Sequence, residues 1–198
     1  MHLPSLTSGL LAGALAGGIL AFAATAQAQT YDERFYGSGP SYRTTYGSSS
    51  SGPIAKTTVP FDASYGPGTV VINTAERRLY LVLGGGQALR YGIGVGRVGF
   101  TWAGVTRVSS KKEWPGWTPP AEMIRRRPDL PRHMKGGIDN PLGARALYLG
   151  SSEYRIHGSN EPETIGQAVS SGCFRMTNED VVDLYGRVSI GAKVVVLR

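Results

Sequence analysis

Beyond about Pro60 the aliphatic residues of this chain come in short runs, each closed by glycine, proline or a polar turn, and that spacing limits the fold more than any other feature. Thr69–Asn73 and Arg78–Leu83 are β-branched or aliphatic and flank Thr74-Ala75-Glu76-Arg77, the pattern of a hairpin. Gly84-Gly85-Gly86 then turns the chain into a third run, Ala88–Val95, and Ala146–Leu149, Tyr154–His157 and Val194–Leu197 supply three more. Helical signals are fewer. Ala121–Arg127 reads as a brief helix ended by Pro128, Glu163–Val169 as a short one after Pro162, and a third starts at Asn178 as N-cap, with Glu179 and Asp180 in the first turn where the helix dipole favours acids. Val181, Val182, Leu184 and Tyr185 give it an apolar face, and Gly186 ends it. The expectation is one mainly β domain with a few short helices, residues 60–198, large enough for a single core.

Within Ala88–Val95 and just beyond it, Gly92, Gly94 and Gly96 alternate with Ile93 and Val95, so one face of the strand is bare and open to close approach by another backbone or a ligand. The pattern is not a nucleotide loop, because neither a following helix nor a Lys-Ser/Thr pair accompanies it. Trp114-Pro115-Gly116-Trp117-Thr118-Pro119-Pro120 is too rich in proline for a central strand and reads as a surface excursion. Asn140-Pro141-Leu142-Gly143 is a turn in which proline presets φ and glycine relieves strain at the exit.

Ahead of the domain, Leu10–Thr25 is almost wholly apolar or small, and Ala26-Gln27-Ala28 offers small residues for a cut before Gln29. Residues 1–28 therefore read as a signal peptide, with an uncleaved membrane anchor as the alternative, and the protein as exported to the periplasm or cell envelope. Residues 29–59, rich in Gly, Ser, Thr and Tyr, cannot bury enough surface to fold alone and read as a flexible linker. The net charge of +7 is concentrated between Arg107 and Lys135, where eight basic residues face three acids. Export disfavours nucleic acid as the partner of that stretch. An acidic extracytoplasmic polymer or an anionic membrane surface suits it better, and a solvated loop with surplus Lys and Arg is the plain alternative.

Cys173 is the only cysteine, so no internal disulfide exists and the thiol is a buried filler, an intermolecular cross-link or a nucleophile. Its setting, Ser170-Ser171-Gly172-Cys173-Phe174-Arg175-Met176, is a tight polar loop rather than an apolar run. A thiol near its free pKa is only a few per cent thiolate at neutral pH, so a cysteine nucleophile needs a base, and that base needs an orienting acceptor. His157, sixteen residues upstream and followed by Gly158, is the best base available. His2 leaves with the signal peptide, and His133 lies in the basic excursion, a place suited to a lid.

His157-Gly158, followed by Ser170-Ser171-Gly172-Cys173-Phe174-Arg175-Met176 and Asn178, closely resembles the signature of L,D-transpeptidases with the YkuD-type catalytic domain. Asn140-Pro141-Leu142-Gly143 and Trp114–Pro120 are similar to that family as well. The resemblance implies an L,D-transpeptidase-like β-sandwich that remodels peptidoglycan: the cysteine attacks the bond between the diamino acid at stem position three and D-Ala at position four, and an amine of a second stem resolves the thioester. On that reading Cys173 is the nucleophile, His157 the base and the Gly158 carbonyl its orienting acceptor. Ser170, Ser171, Gly172, Arg175 and Asn178 shape the loop or bind substrate, and the N–H groups around Gly172 and Cys173 hold the oxyanion. No metal or organic cofactor is implied.

In one position the chain departs from the family, which usually has histidine where Ser171 stands, so substrate placement and acceptor preference are affected rather than the core mechanism. Arg175 has an alternative role as a structural ion-pair partner, and Asn178 as a helix cap. Within the same fold the thioester passes instead to water in a carboxypeptidase, or to a lysine of an envelope protein in an anchoring enzyme. A non-catalytic cell-wall binder is the reading from another class. Sortase-like and papain-like enzymes fit less well, the first by spacing and the second by the order of Cys and His.

Overall fold

A computed structural model describes residues 54–198, so the expected signal segment at 1–28 and most of the expected linker at 29–59 lie outside the described residues. In chain order the strands are β1 (Thr57–Pro60), β2 (Val70–Asn73), β3 (Arg78–Gly84), β4 (Gln87–Gly92), β5 (Val95–Gly96), β6 (Gly104–Glu113), β7 (Arg145–Leu149), β8 (Arg155–His157), β9 (Ala168–Ser170), β10 (Phe174–Arg175) and β11 (Lys193–Leu197). Two α-helices accompany them among the described residues, α1 (Ala121–Arg126) and α2 (Asn178–Arg187). Nine strands follow one another in the order β1-β4-β3-β2-β11-β6-β7-β8-β10, while β5 and β9 form a separate parallel pair. Strand β1 pairs with β4, so ordered structure begins slightly ahead of the boundary expected at residue 60.

The hairpin read from the sequence is present, with β2 and β3 antiparallel and Val70 opposite Leu81. Alternation along β3 turns Leu79 and Leu81 into the main core and Tyr80 toward a smaller apolar cluster on the other face. A fully buried Leu contributes about 1.5–3 kcal/mol relative to an exposed one. A one-residue slip would expose both leucines, so the register is strongly fixed.

Strand β6 serves both layers of the sandwich. Its first half pairs with β11 and its second half, from Val108 on, with β7, where a register shift falls between Val108 and Ser110. Val70, Ile72, Leu79, Leu81, Leu89 and Tyr91 from one layer meet Leu147, Leu149, Ile156 and Phe174 from the other, with Val181 and Leu184 of α2 joining the same core.

Three local expectations differ from the structure. The single strand read over Ala88–Val95 is broken at Ile93-Gly94, because the Gly94 N–H and C=O leave β4 to pair with the backbone of Arg175. Instead of a helix over Glu163–Val169 there is a single 3-10 turn, Pro162–Thr164, followed by β9; Gly166, at φ +89°, stops any helix there. The N-cap of α2 is Thr177 rather than Asn178, its Oγ1 accepting the Asp180 N–H, and the helix runs through Gly186 to Arg187.

The bare glycine face of the sequence is filled by protein. A Cβ at Gly92 would lie 2.6 Å from Ile54, one at Gly94 would lie 3.3 Å from the Arg175 Cβ, and one at Gly96 would lie 3.2 Å from the Gly172 Cα. Close packing by neighbouring side chains and backbone accounts for the pattern. Two of these three contacts fall on the segment that carries Cys173.

Candidate active site

Strand β8 and the short β10 run parallel, with Phe174 opposite Ile156 and Arg175 opposite His157. Ile156 and Phe174 both enter the main core, so their neighbours His157 and Arg175 turn to the opposite face. By the same alternation Cys173 faces the side that carries His157, two positions away across adjacent strands. The topology thus brings the residues expected as base and nucleophile together on one face.

His157 is buried, and its Nδ1 lies 2.6 Å from the Gly158 carbonyl oxygen. A carbonyl only accepts, so in the neutral ring Nδ1 carries the hydrogen and Nε2 keeps its lone pair. Burial, with Arg175 as the second cause, pushes the imidazole pKa down to about 3. The thiol of Cys173 is pushed up by burial, although the cations Arg155 and Arg175 act the other way. At rest the pair is therefore a neutral thiol and a neutral imidazole. In keeping with that state, the Sγ–H donates to the Glu153 carbonyl at 3.8 Å, and the cysteine keeps part of its surface open.

Ser170 builds the loop before the sulfur. Its hydroxyl donates to the Cys173 carbonyl at 2.6 Å and accepts the Gly172 N–H at 3.1 Å. The Gly172 N–H, expected as an oxyanion donor, is thus already engaged. The Cys173 N–H has no hydrogen-bond partner among the described residues. Gly172 sits at φ +107°, which favours glycine, and a Cβ there would lie 2.5 Å from the Tyr154 ring. Ser171, half-buried, completes the loop.

Arg175 is buried, with Nη1 bound to Glu161 at 2.8 Å and within 3.4 Å of the Thr164 hydroxyl. The ion pair expected as its alternative role is thus present. Burial raises the Glu161 pKa even though the guanidinium lowers it, so desolvation outweighs the ion pair. Asn178 is not the cap of α2. Its Oδ1 accepts the Ala144 N–H at 2.8 Å, and it fills a slot between two glycines: a Cβ at Gly158 would come within 2.3 Å of that oxygen and one at Gly143 within 2.2 Å. The side chain therefore locks the Asn140–Gly143 turn against the peptide that holds His157. Only the order of the residues, with Asn178 just beyond the cysteine segment, hinted at this.

His133 does not join the site; its Nδ1 lies 3.1 Å from the Thr118 hydroxyl, within the proline-rich excursion. Trp117, in that excursion, is buried. Several residues of the basic stretch are engaged in the fold: Arg107 donates to the Gly191 carbonyl, Lys111 to the Tyr185 and Val188 carbonyls at the end of α2, and Arg127 pairs with Asp129. A cavity of about 240 Å³ lies elsewhere, lined by Phe61, Val71, Tyr80, Arg90 and their neighbours. Its lining contains neither a thiol nor an imidazole.

Residues 67–196 match the model of the YkuD family, the L,D-transpeptidase catalytic domain. The Escherichia coli K12 protein YbiS, named a probable L,D-transpeptidase, is 40% identical over 134 residues, 63% of this chain and 43% of that protein. This chain thus spans less than half the length of that relative. A solved Brucella melitensis protein described as a probable carnitine operon oxidoreductase is 48% identical, covering 73% of this chain and 94% of that one at a TM-score of 0.50. L,D-transpeptidase 3 of Mycobacterium tuberculosis shares the fold at 19% identity and a TM-score of 0.53, over 67% of this chain and 62% of that one. Through residues 67–196, this chain belongs to the YkuD family of L,D-transpeptidase catalytic domains.

Proposed function

We infer that the domain is a cysteine acyltransferase acting on the stem peptides of peptidoglycan. The supporting observation is the bond from His157 Nδ1–H to the Gly158 carbonyl on a strand in register with the cysteine segment, because it leaves Nε2 as a base on the face that carries the thiol. Cys173 Sγ attacks the carbonyl carbon between the diamino acid and D-Ala while its proton passes to His157 Nε2. The Cys173 N–H stabilises the oxyanion of the tetrahedral intermediate. Collapse breaks the C–N bond, and His157 returns the proton to the leaving amine of D-Ala. An amine of a second stem then attacks the thioester, giving up a proton to His157 and restoring the thiol. Ser170, Gly172, Arg175 and Asn178 hold this arrangement. Residues 1–28 would carry the protein to the envelope where such stems occur.

Intact mass after incubation with a carbapenem tests the nucleophile. An adduct mapped to Cys173 and lost in Cys173→Ala is expected, and an unmodified wild type would overturn the reading. Incubation with a tetrapeptide muropeptide then identifies the acceptor. Release of D-Ala with formation of a cross-linked dimer marks transpeptidation, whereas release without a dimer marks hydrolysis.

A further inference from the structure

The loop around the nucleophile has one peptide that Ser170 does not hold. Ser170 Oγ engages the Gly172 N–H on one side and the Cys173 carbonyl on the other, which leaves the central unit, the Gly172 C=O and the Cys173 N–H. That carbonyl accepts the indole Nε1–H of Trp102 at 3.3 Å. The bond is long, so packing must hold the ring in place. Trp102 stacks on Tyr154 with centroids 4.9 Å apart and planes at 13°, and it tilts against Phe174 at 5.8 Å. Tyr154 in turn lies against the Gly172 Cα, where a Cβ would meet its ring at 2.5 Å. A trans peptide is planar, with C=O and N–H pointing in opposite directions, so whatever fixes the carbonyl also aims the amide hydrogen. The amide aimed here is the Cys173 N–H, the one in this loop with no partner among the described residues that Ser170 could have supplied.

We propose that Trp102 is a positioning residue for acyl transfer, its indole N–H and its stack on Tyr154 holding the Gly172–Cys173 peptide so that the Cys173 N–H meets the developing oxyanion. The proposal rests on the acyl-transfer reading above. Trp102 touches neither substrate nor sulfur in this role. It acts through the peptide that carries the donor, and the gain lies in an amide oriented before the charge appears. Trp102 belongs to the segment between β5 and β6, far from the cysteine in sequence, which makes it a contact that no local motif reveals.

The test compares a reaction that builds an oxyanion with one that does not, both at Cys173 of the full chain. Acylation by a carbapenem passes through a tetrahedral oxyanion, whereas alkylation by iodoacetamide is a direct displacement at carbon. Trp102→Phe keeps an aromatic ring but removes the N–H. Replacing Trp102 with 3-benzothienylalanine keeps the ring area and removes the N–H alone, which guards against a loosened stack. Both variants are expected to lower the acylation rate at saturation on the order of 10–100-fold with little change in the half-saturating concentration. Alkylation should stay within about twofold of wild type, since no donor of this kind is needed. Equal loss in both reactions would show a collapsed loop and overturn the proposal, as would unchanged acylation in the benzothienyl variant. A wild type that alkylates but is never acylated would sink the acyl-transfer reading itself, and the role of Trp102 with it.

Discussion

Arg175 stands in register with His157 across the β8–β10 pair, while its guanidinium binds Glu161 at 2.8 Å. The strand that follows Cys173 therefore also places a buried cation beside His157. Burial is the larger cause, and the cation the second, of an imidazole that stays neutral down to about pH 3.

A first prediction concerns the reactivity of the thiol. Burial raises the Cys173 pKa and lowers that of His157, so a thiolate–imidazolium pair is not the resting state. Iodoacetamide alkylation followed from pH 5 to pH 10, limits set about the free thiol value, should rise with one ionisation above the ordinary cysteine pKa and show no reactive plateau near neutrality. A plateau below pH 7, of the kind that low-pKa thiolates give, would contradict the neutral pair.

The same imidazole links stability to pH. Its folded pKa of about 3 lies below its ordinary value of 6.5, so between those limits the unfolded chain binds a proton that the native state excludes. Stability contributed by the neutral ring is present above pH 6.5 and is lost as pH falls toward 3. Denaturant titrations of wild type and His157→Gln should differ by a slope of about 1.4 kcal/mol per pH unit in that window, with wild type losing the more. Parallel curves would mean that the ring is protonated in the folded protein.

Arg175 should matter to folding before it matters to binding. Removing one partner of a buried ion pair costs about 3–5 kcal/mol, and the low end applies because Glu161 keeps a quarter of its side-chain surface. Arg175→Met is expected to lose about 3 kcal/mol, and adding Glu161→Gln to restore part of it, since the orphaned carboxylate is then gone. Equilibrium unfolding of the two variants measures this, and failure of the double variant to recover any stability would argue against a structural pair.

The sequence revealed the strands with β-branched or aliphatic runs and missed those built otherwise. Val70–Asn73, Arg78–Gly84 and Lys193–Leu197 announce themselves by composition. Strand β6 does not, because of its residues only Val108 is fully buried, and its lysines look like surplus loop charge. Lys111 is in fact spent on the carbonyls that end α2. Within the candidate site, His157, Gly158 and Cys173 stand out in the sequence by residue type and spacing. Trp102 and the fit of Asn178 do not, since each depends on a contact between segments distant in the chain. The helix misread over Glu163–Val169 has a local cause: its apolar spacing suits a helix, but Gly166 at positive φ gives the chain a way out into β9.

Asn178 offers the sharpest separation between a cap and a brace. The cap of α2 is Thr177, so Thr177→Ala should lose about 1 kcal/mol and leave the site chemistry intact. Asn178→Ala removes the acceptor of the Ala144 N–H and empties the slot against Gly158, so about 1–3 kcal/mol should be lost, together with the orientation of the carbonyl that holds His157. Asn178→Asp keeps the acceptor and places an acid in the first turn of α2, where the helix dipole favours it, and it should restore most of both. Unfolding free energies and carbapenem acylation rates for the three variants read the two roles separately. If Asn178→Ala loses stability but acylates at the wild-type rate, the side chain braces the turn without reaching the base. If both fall and Asn178→Asp rescues both, then the oxygen behind Gly158 is what keeps Nδ1 occupied and Nε2 free to take the proton of the thiol.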